Sequence, residues 1–207
     1  MDDEARSVYP VEVEIRQRGG RRTMSGRFPY GRTATIRATG RVRKETFNPR
    51  AFRFAVEEEE REVNLLYGHD YNRPLASKLR GSLVLTDTDD ALLFEADLPR
   101  DSEQPSWMRD AVLAVQAGLI GGLSPGFRVP PAAAVPGAER LVPEPGNPDV
   151  QIREISEALL FEMSLVSRPA YTETELDLRA WEEMAARTGE KTRSDHGLSA
   201  ERDFLWL

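Results

Sequence analysis

The sequence predicts a mainly β fold with helices: a closed β-barrel surrounded by helices. Short stretches with the two-residue period of half-buried strands greatly outnumber helical ones, and they do not alternate with helices as a βαβ sheet requires. The length of 207 residues fits one domain, or one domain and a tail, so a single core can serve most of the chain.

Taken in order, Val11, Val13 and Ile15 alternate with Glu12, Glu14 and Arg16, which predicts a strand with one wet face. Thr33 to Ala38 reads the same way. Asn48-Pro49 opens a short helical stretch from Arg50 to about Glu60, with Phe52, Ala55 and Val56 on one face; the four glutamates that end it read as a solvated helix end or loop. Val63 to Tyr67 is a short apolar strand that delivers the chain to Gly68-His69-Asp70. Ser82 to Thr86 and Ala91 to Leu98 form a hairpin whose turn is Asp87-Thr88-Asp89-Asp90. Pro105 starts the clearest helix, with Trp107, Val112, Val115 and Leu119 at near-helical spacing and Gly118 near its end. Gly121 to Val129 is extended, and Pro130 to Pro148, rich in Pro, Ala and Gly, reads as a flexible loop. Ile152 to Ile155 and Ala158 to Val166 are strands again, the second stopped by Pro169. Thr174 to about Arg187 is an amphipathic helix, and residues 188–207 are polar until Phe204-Leu205-Trp206-Leu207.

Composition narrows the chemistry. The absence of Cys excludes a disulfide framework, a thiolate zinc site and a cysteine nucleophile, and two His leave little for a metal centre, so neither cofactor nor metal is expected. No run approaches the roughly 18 apolar residues of a membrane span, and Met1-Asp2-Asp3-Glu4 is acidic where a secretory leader would be basic. The formal net charge of −7 is uneven: the first 50 residues hold 12 Arg and Lys against 6 Asp and Glu. Those cations alternate with Thr, Val and Ile, as on the wet face of a sheet.

Gly122-Leu123-Ser124-Pro125-Gly126 satisfies G-x-S-x-G, the strand-to-helix turn that exposes a nucleophilic serine in α/β-hydrolases. The context is wrong for that turn. Prolines follow Ser124 where a helix should begin, and the only later histidine, His196, lies in the polar tail. What remains is a serine flanked by glycines that admit a second backbone; the plainer alternative, which spacing alone favours slightly, is a glycine-rich bulge or turn. His69 ends an apolar strand and can take a serine proton near neutral pH and return it to a leaving amine; the plain alternative is a turn histidine bonded to Asp70. Glu162 lies in Phe161-Glu162-Met163-Ser164-Leu165-Val166, where alternation places Phe161, Met163 and Leu165 on one face and Glu162 with Ser164 on the other. A carboxylate there needs a partner, such as an imidazole N–H, unless that face is simply wet.

These three segments together resemble the tailed-phage prohead (capsid maturation) serine proteases, a family related in fold to the herpesvirus assemblins. The family pattern has a His after an apolar strand, a Ser-x-Gly-Phe segment, and an acid in E-[VM]-S-L-V-x-x-P-A. Here they read Asn64-Leu65-Leu66-Tyr67-Gly68-His69-Asp70, Ser124-Pro125-Gly126-Phe127, and Glu162-Met163-Ser164-Leu165-Val166-Ser167-Arg168-Pro169-Ala170. The resemblance covers roughly residues 30 to 172 and implies a herpesvirus-protease-like barrel; the chain then divides into an N-terminal extension, partly strand, at 1–29, the barrel domain at 30–187 and a flexible tail at 188–207. It implies a serine endopeptidase with Ser124 as nucleophile, His69 as base and Glu162 as acid, working inside assembling procapsids in the cytoplasm of a bacterial host. Its expected partners are the major capsid protein and scaffold as substrates, with a homodimer as candidate assembly and neither nucleic acid nor membrane.

Glu154, Glu157 and Asp70 stand as substitutes for Glu162, because a register slip of one residue moves a side chain to the other face. The backbone around Phe127 and the side chains of Arg128 and Arg168 are candidate oxyanion donors. A non-enzymatic capsid or scaffold component is the second reading. A nucleic-acid-binding barrel is the third, and it ranks last because only Phe28, Tyr30 and Phe47 accompany the basic residues.

Overall fold

The computed structural model describes residues 9–10, 13–18, 21–38 and 41–167, all within the unit Met1–Tyr171. The expected helix at 174–187 and the tail at 188–207 lie outside them.

The described residues form β1 (Tyr9–Pro10), β2 (Val13–Arg18), β3 (Arg21–Pro29), β4 (Thr33–Ala38), β5 (Arg41–Phe47), α1 (Arg53–Glu57), β6 (Asn64–Tyr67), β7 (Asp70–Ser77), β8 (Leu83–Asp87), β9 (Ala91–Leu98), α2 (Ser106–Gln116), β10 (Gly122–Arg128), β11 (Glu139–Glu144), β12 (Asn147–Ile155) and β13 (Leu159–Val166). They assemble into a five-stranded sheet in the order β1-β10-β13-β6-β7 and two four-stranded sheets, β11-β12-β5-β4 and β2-β3-β9-β8.

This corrects the predicted barrel. The described strands make three open sheets, no sheet closes on itself, and two short helices do not surround them. Alternation along a strand reports a wet face and a dry face, which an open sheet and a barrel share; closure needs the outer strands to pair with each other. Here outer strands carry residues that oppose pairing: Pro74 in β7 and Pro143 in β11 have no N–H to donate. The segment read as a proline-rich loop is itself partly strand, since β11 and β12 form an antiparallel pair across Gly146.

The core draws on all three sheets. Phe47 of β5 meets Phe52 and Phe127 at ring-centroid separations of 4.9 Å each, and Phe28 of β3 at 5.4 Å. Edge-on aromatic pairs add roughly 0.5 to 1.5 kcal/mol beyond the area they bury. Phe127 thereby ties the far end of β10 into the core. Along β10 and β13, Leu123 pairs with Leu165 and Pro125 with Met163, all buried. Opposed residues of paired strands share a face, so the intervening pairs, Ser124 with Ser164 and Gly126 with Glu162, turn together to the other side. The core side of these strands sets the register, and the register sets the polar side.

Candidate active site

The polar face of β13 is completed by a two-residue turn from the neighbouring hairpin. β6 runs parallel to β13, placing Leu66 beside Ser164 and Tyr67 beside Leu165. The chain then reverses through Gly68 and His69 so that Tyr67 pairs with Asp70 in β7. Both turn residues have positive φ, 68° and 60°. Positive φ at both central positions matches the twist of a tight hairpin, but it costs a residue with a Cβ of the order of 1 kcal/mol. Two bonds to β13 hold the conformation: the Gly68 N–H donates to the Leu165 carbonyl at 3.0 Å, and the His69 N–H to Oγ of Ser164 at 2.9 Å.

With its backbone pinned, the His69 imidazole approaches Glu162, and Nδ1 lies 2.7 Å from Oε1. The second carboxylate oxygen, Oε2, accepts a 2.7 Å hydrogen bond from the Ser164 hydroxyl. Glu162 is only 4% exposed. A carboxylate so deprived of water is tolerated because each of its oxygens has a donor. Nδ1–H facing the carboxylate leaves Nε2 as the acceptor nitrogen. Nε2 of His69 and Oγ of Ser124 are both buried and have no hydrogen-bond partner among the described residues. Ser124 sits opposite Ser164, two pairs along the ladder from Glu162 and on the same face. Catalytic hydrogen bonds are commonly open until substrate binds, so an unpaired serine and imidazole nitrogen in one site suit a nucleophile and its base.

The ladder changes register between Gly126 and Phe127, where Glu162 faces Gly126 but Leu160 faces Phe127. Phe161 is thus the extra residue of a β-bulge and is 36% exposed, whereas Met163 and Leu165 are fully buried. Strict alternation had put Phe161 with those two; the bulge re-aims it toward Arg61, whose guanidinium lies 4.9 Å from the ring centroid.

The structure sets His69 against Glu162 and pairs Ser124 with Ser164, the residue that binds both of them, and it gives each alternative acid another partner. Asp70 accepts from the N–H and the side-chain amide of Asn72 and pairs with Arg73. Glu154 binds Arg140 at 2.6 Å, and Glu157 lies 3.8 Å from Arg53. Arg128 stands over the Phe161 ring, and Arg168 is outside the described residues. Two further residues shape the site, Ser164 and Gly126. The alternation Glu162-x-Ser164 signalled the first; nothing in β10 alone signals what the second faces.

A family model described as caudovirus prohead serine protease matches residues 16–188. No curated protein and no solved structure matches the chain.

Proposed function

Because the chain belongs to the caudovirus prohead serine protease family, and is therefore a serine protease of capsid maturation, we propose that Ser124, His69 and Glu162 are its catalytic triad. The observation that carries the assignment is the double engagement of Glu162 by His69 and Ser164, which leaves Nε2 of His69 and Oγ of Ser124 unpaired. Oγ of Ser124 attacks the scissile carbonyl carbon while Nε2 takes its proton. The carboxylate stabilises the imidazolium without accepting that proton. Collapse of the tetrahedral intermediate breaks the C–N bond, Nε2 returns the proton to the leaving amine, and an acyl-enzyme on Ser124 remains for water to hydrolyse.

The substrates proposed are scaffold and the N-terminal scaffolding region of the major capsid protein, cleaved inside procapsids assembling in a bacterial cytoplasm. Ser124 is fully buried, so a peptide reaches it only when the chain opens, and that opening accompanies assembly. A non-enzymatic assembly component has no observation in its favour, given the family.

Co-expression with the cognate capsid and scaffold proteins, read by intact mass, tests this. Wild type shortens its substrates, and Ser124→Ala leaves them at full length, since losing a triad member costs about 10⁴ to 10⁶ in rate. Cleavage by a folded Ser124→Ala chain would remove Ser124 from the mechanism.

A further inference from the structure

Gly126 faces Glu162 across the β10–β13 ladder. Unlike Gly68, it is not among the residues with positive φ, so its backbone would accept a side chain. Space would not. A Cβ at position 126 would overlap Oε1 of Glu162 and stand 2.8 Å from both its Cδ and Cγ. At position 68 a Cβ would meet nothing within 4 Å. Oε1 is the oxygen that binds Nδ1 of His69, so the space left by the missing side chain is the space that this oxygen occupies.

We propose that Gly126 is a positioning residue: its bare Cα is the seat of the Glu162 carboxylate, and it holds Oε1 against His69. The proposal rests on Glu162 being the triad acid. Every atom that a Cβ would meet within 4 Å among its three nearest belongs to the side chain of Glu162, none to backbone. A methyl group there displaces the Glu162 side chain from Cγ outward by rotation about its Cα–Cβ bond, which spares the backbone and breaks the contact with the imidazole. The second glycine of Gly122-Leu123-Ser124-Pro125-Gly126 serves the acid on the adjacent strand, and the serine two residues before it serves the substrate.

The test compares Gly126→Ala with Glu162→Gln, using the full chain with its capsid protein as substrate. Gly126→Ala should cut cleavage about 100-fold, the scale of a displacement of about 1 Å in a catalytic group. Its melting temperature should stay within about 4 °C of wild type, a shift no larger than a minor stability change produces. The loss should fall on kcat and leave KM unchanged, as in Glu162→Gln, because the carboxylate stabilises a charge that forms only in the transition state. Near-full activity of Gly126→Ala, a loss carried by KM, or a chain that fails to fold would each overturn the seat. Near-full activity of Glu162→Gln would instead overturn the assignment of the acid; Glu162→Gln inactive beside an active Gly126→Ala overturns the seat alone.

Discussion

Ser164 donates a 2.7 Å hydrogen bond to Oε2 of Glu162, its neighbour two positions away on the same face of β13, while its oxygen accepts the backbone N–H of His69 at 2.9 Å. One hydroxyl thus fixes the carboxylate and the turn that presents the imidazole to it.

Ser164→Ala should therefore harm both. It strips a donor from a buried carboxylate and an acceptor from a turn with positive φ, and a buried group left unpaired costs about 1 to 3 kcal/mol. Unfolding in denaturant should reveal that loss, and kcat/KM for capsid-protein cleavage should fall about 10- to 100-fold as the imidazole drifts. Unchanged values for both would mean that these two bonds are idle.

At position 68 the requirement is conformational, since φ is 68° and space is open. Gly68→Asn should be tolerated better than Gly68→Ala, and Gly68→Val least, because asparagine visits positive φ more readily than alanine or a β-branched residue. The expected cost for alanine is about 1 kcal/mol, with activity falling in the same order. Thermal unfolding and cleavage rates measured on the three variants check the ranking.

Much of the site was legible in sequence because it rests on short-range signals: a histidine after an apolar strand, and Glu162 and Ser164 two apart in β13. The elements missed are those where the signal is broken. In β3 only Met24 and Phe28 are large and buried on the inward face, with Gly26 between them. In β5 the inward position before Phe47 is Glu45, 1% exposed and paired with Arg153, so a charge stands where alternation expects a hydrophobe. In β7, Asn72 and Pro74 look like turn residues but lie on an outer strand, where a missing N–H is tolerated. Closure was not legible at all, because it depends on which edges meet. The seat at Gly126 needed the register across two strands that lie more than 30 residues apart in sequence.

Away from the site, the Tyr30 hydroxyl donates a 2.6 Å hydrogen bond to Asp87. Burial, and then that bond to a carboxylate, push the Tyr30 phenol far above its ordinary value of 10.0, while burial raises Asp87. A native phenol that keeps its proton while the unfolded one loses it means the folded state binds more protons above about pH 10, so stability is present below that pH and falls as pH rises. Tyr30→Phe removes this slope, which reaches at most about 1.4 kcal/mol per pH unit for one proton. Denaturant unfolding at pH 9 to 11 should show wild type losing stability faster than the variant; parallel curves would contradict the assignment.

His69→Ala and Ser124→Ala should be equally inactive, and the double variant hardly worse, because base and nucleophile act as one unit. Their stabilities should diverge. Ser124→Ala removes a buried hydroxyl that has no partner and costs little, whereas His69→Ala strands one oxygen of a buried carboxylate and costs about 3 kcal/mol or more. Single-turnover cleavage and unfolding midpoints separate the two effects; additive rate losses would show that the pair does not act together.

The most direct test of the triad is to trap the nucleophile. During co-expression with capsid and scaffold proteins, a fluorophosphonate that phosphonylates activated serines is added as cleavage proceeds, and the adduct is mapped by peptide mass. The expected result is one adduct, on Ser124, lost in His69→Ala and Glu162→Gln. An adduct on Ser164 in the cleaving protein, or cleavage with Ser124 unmodified and uninhibited, would contradict the assignment of Ser124 as nucleophile.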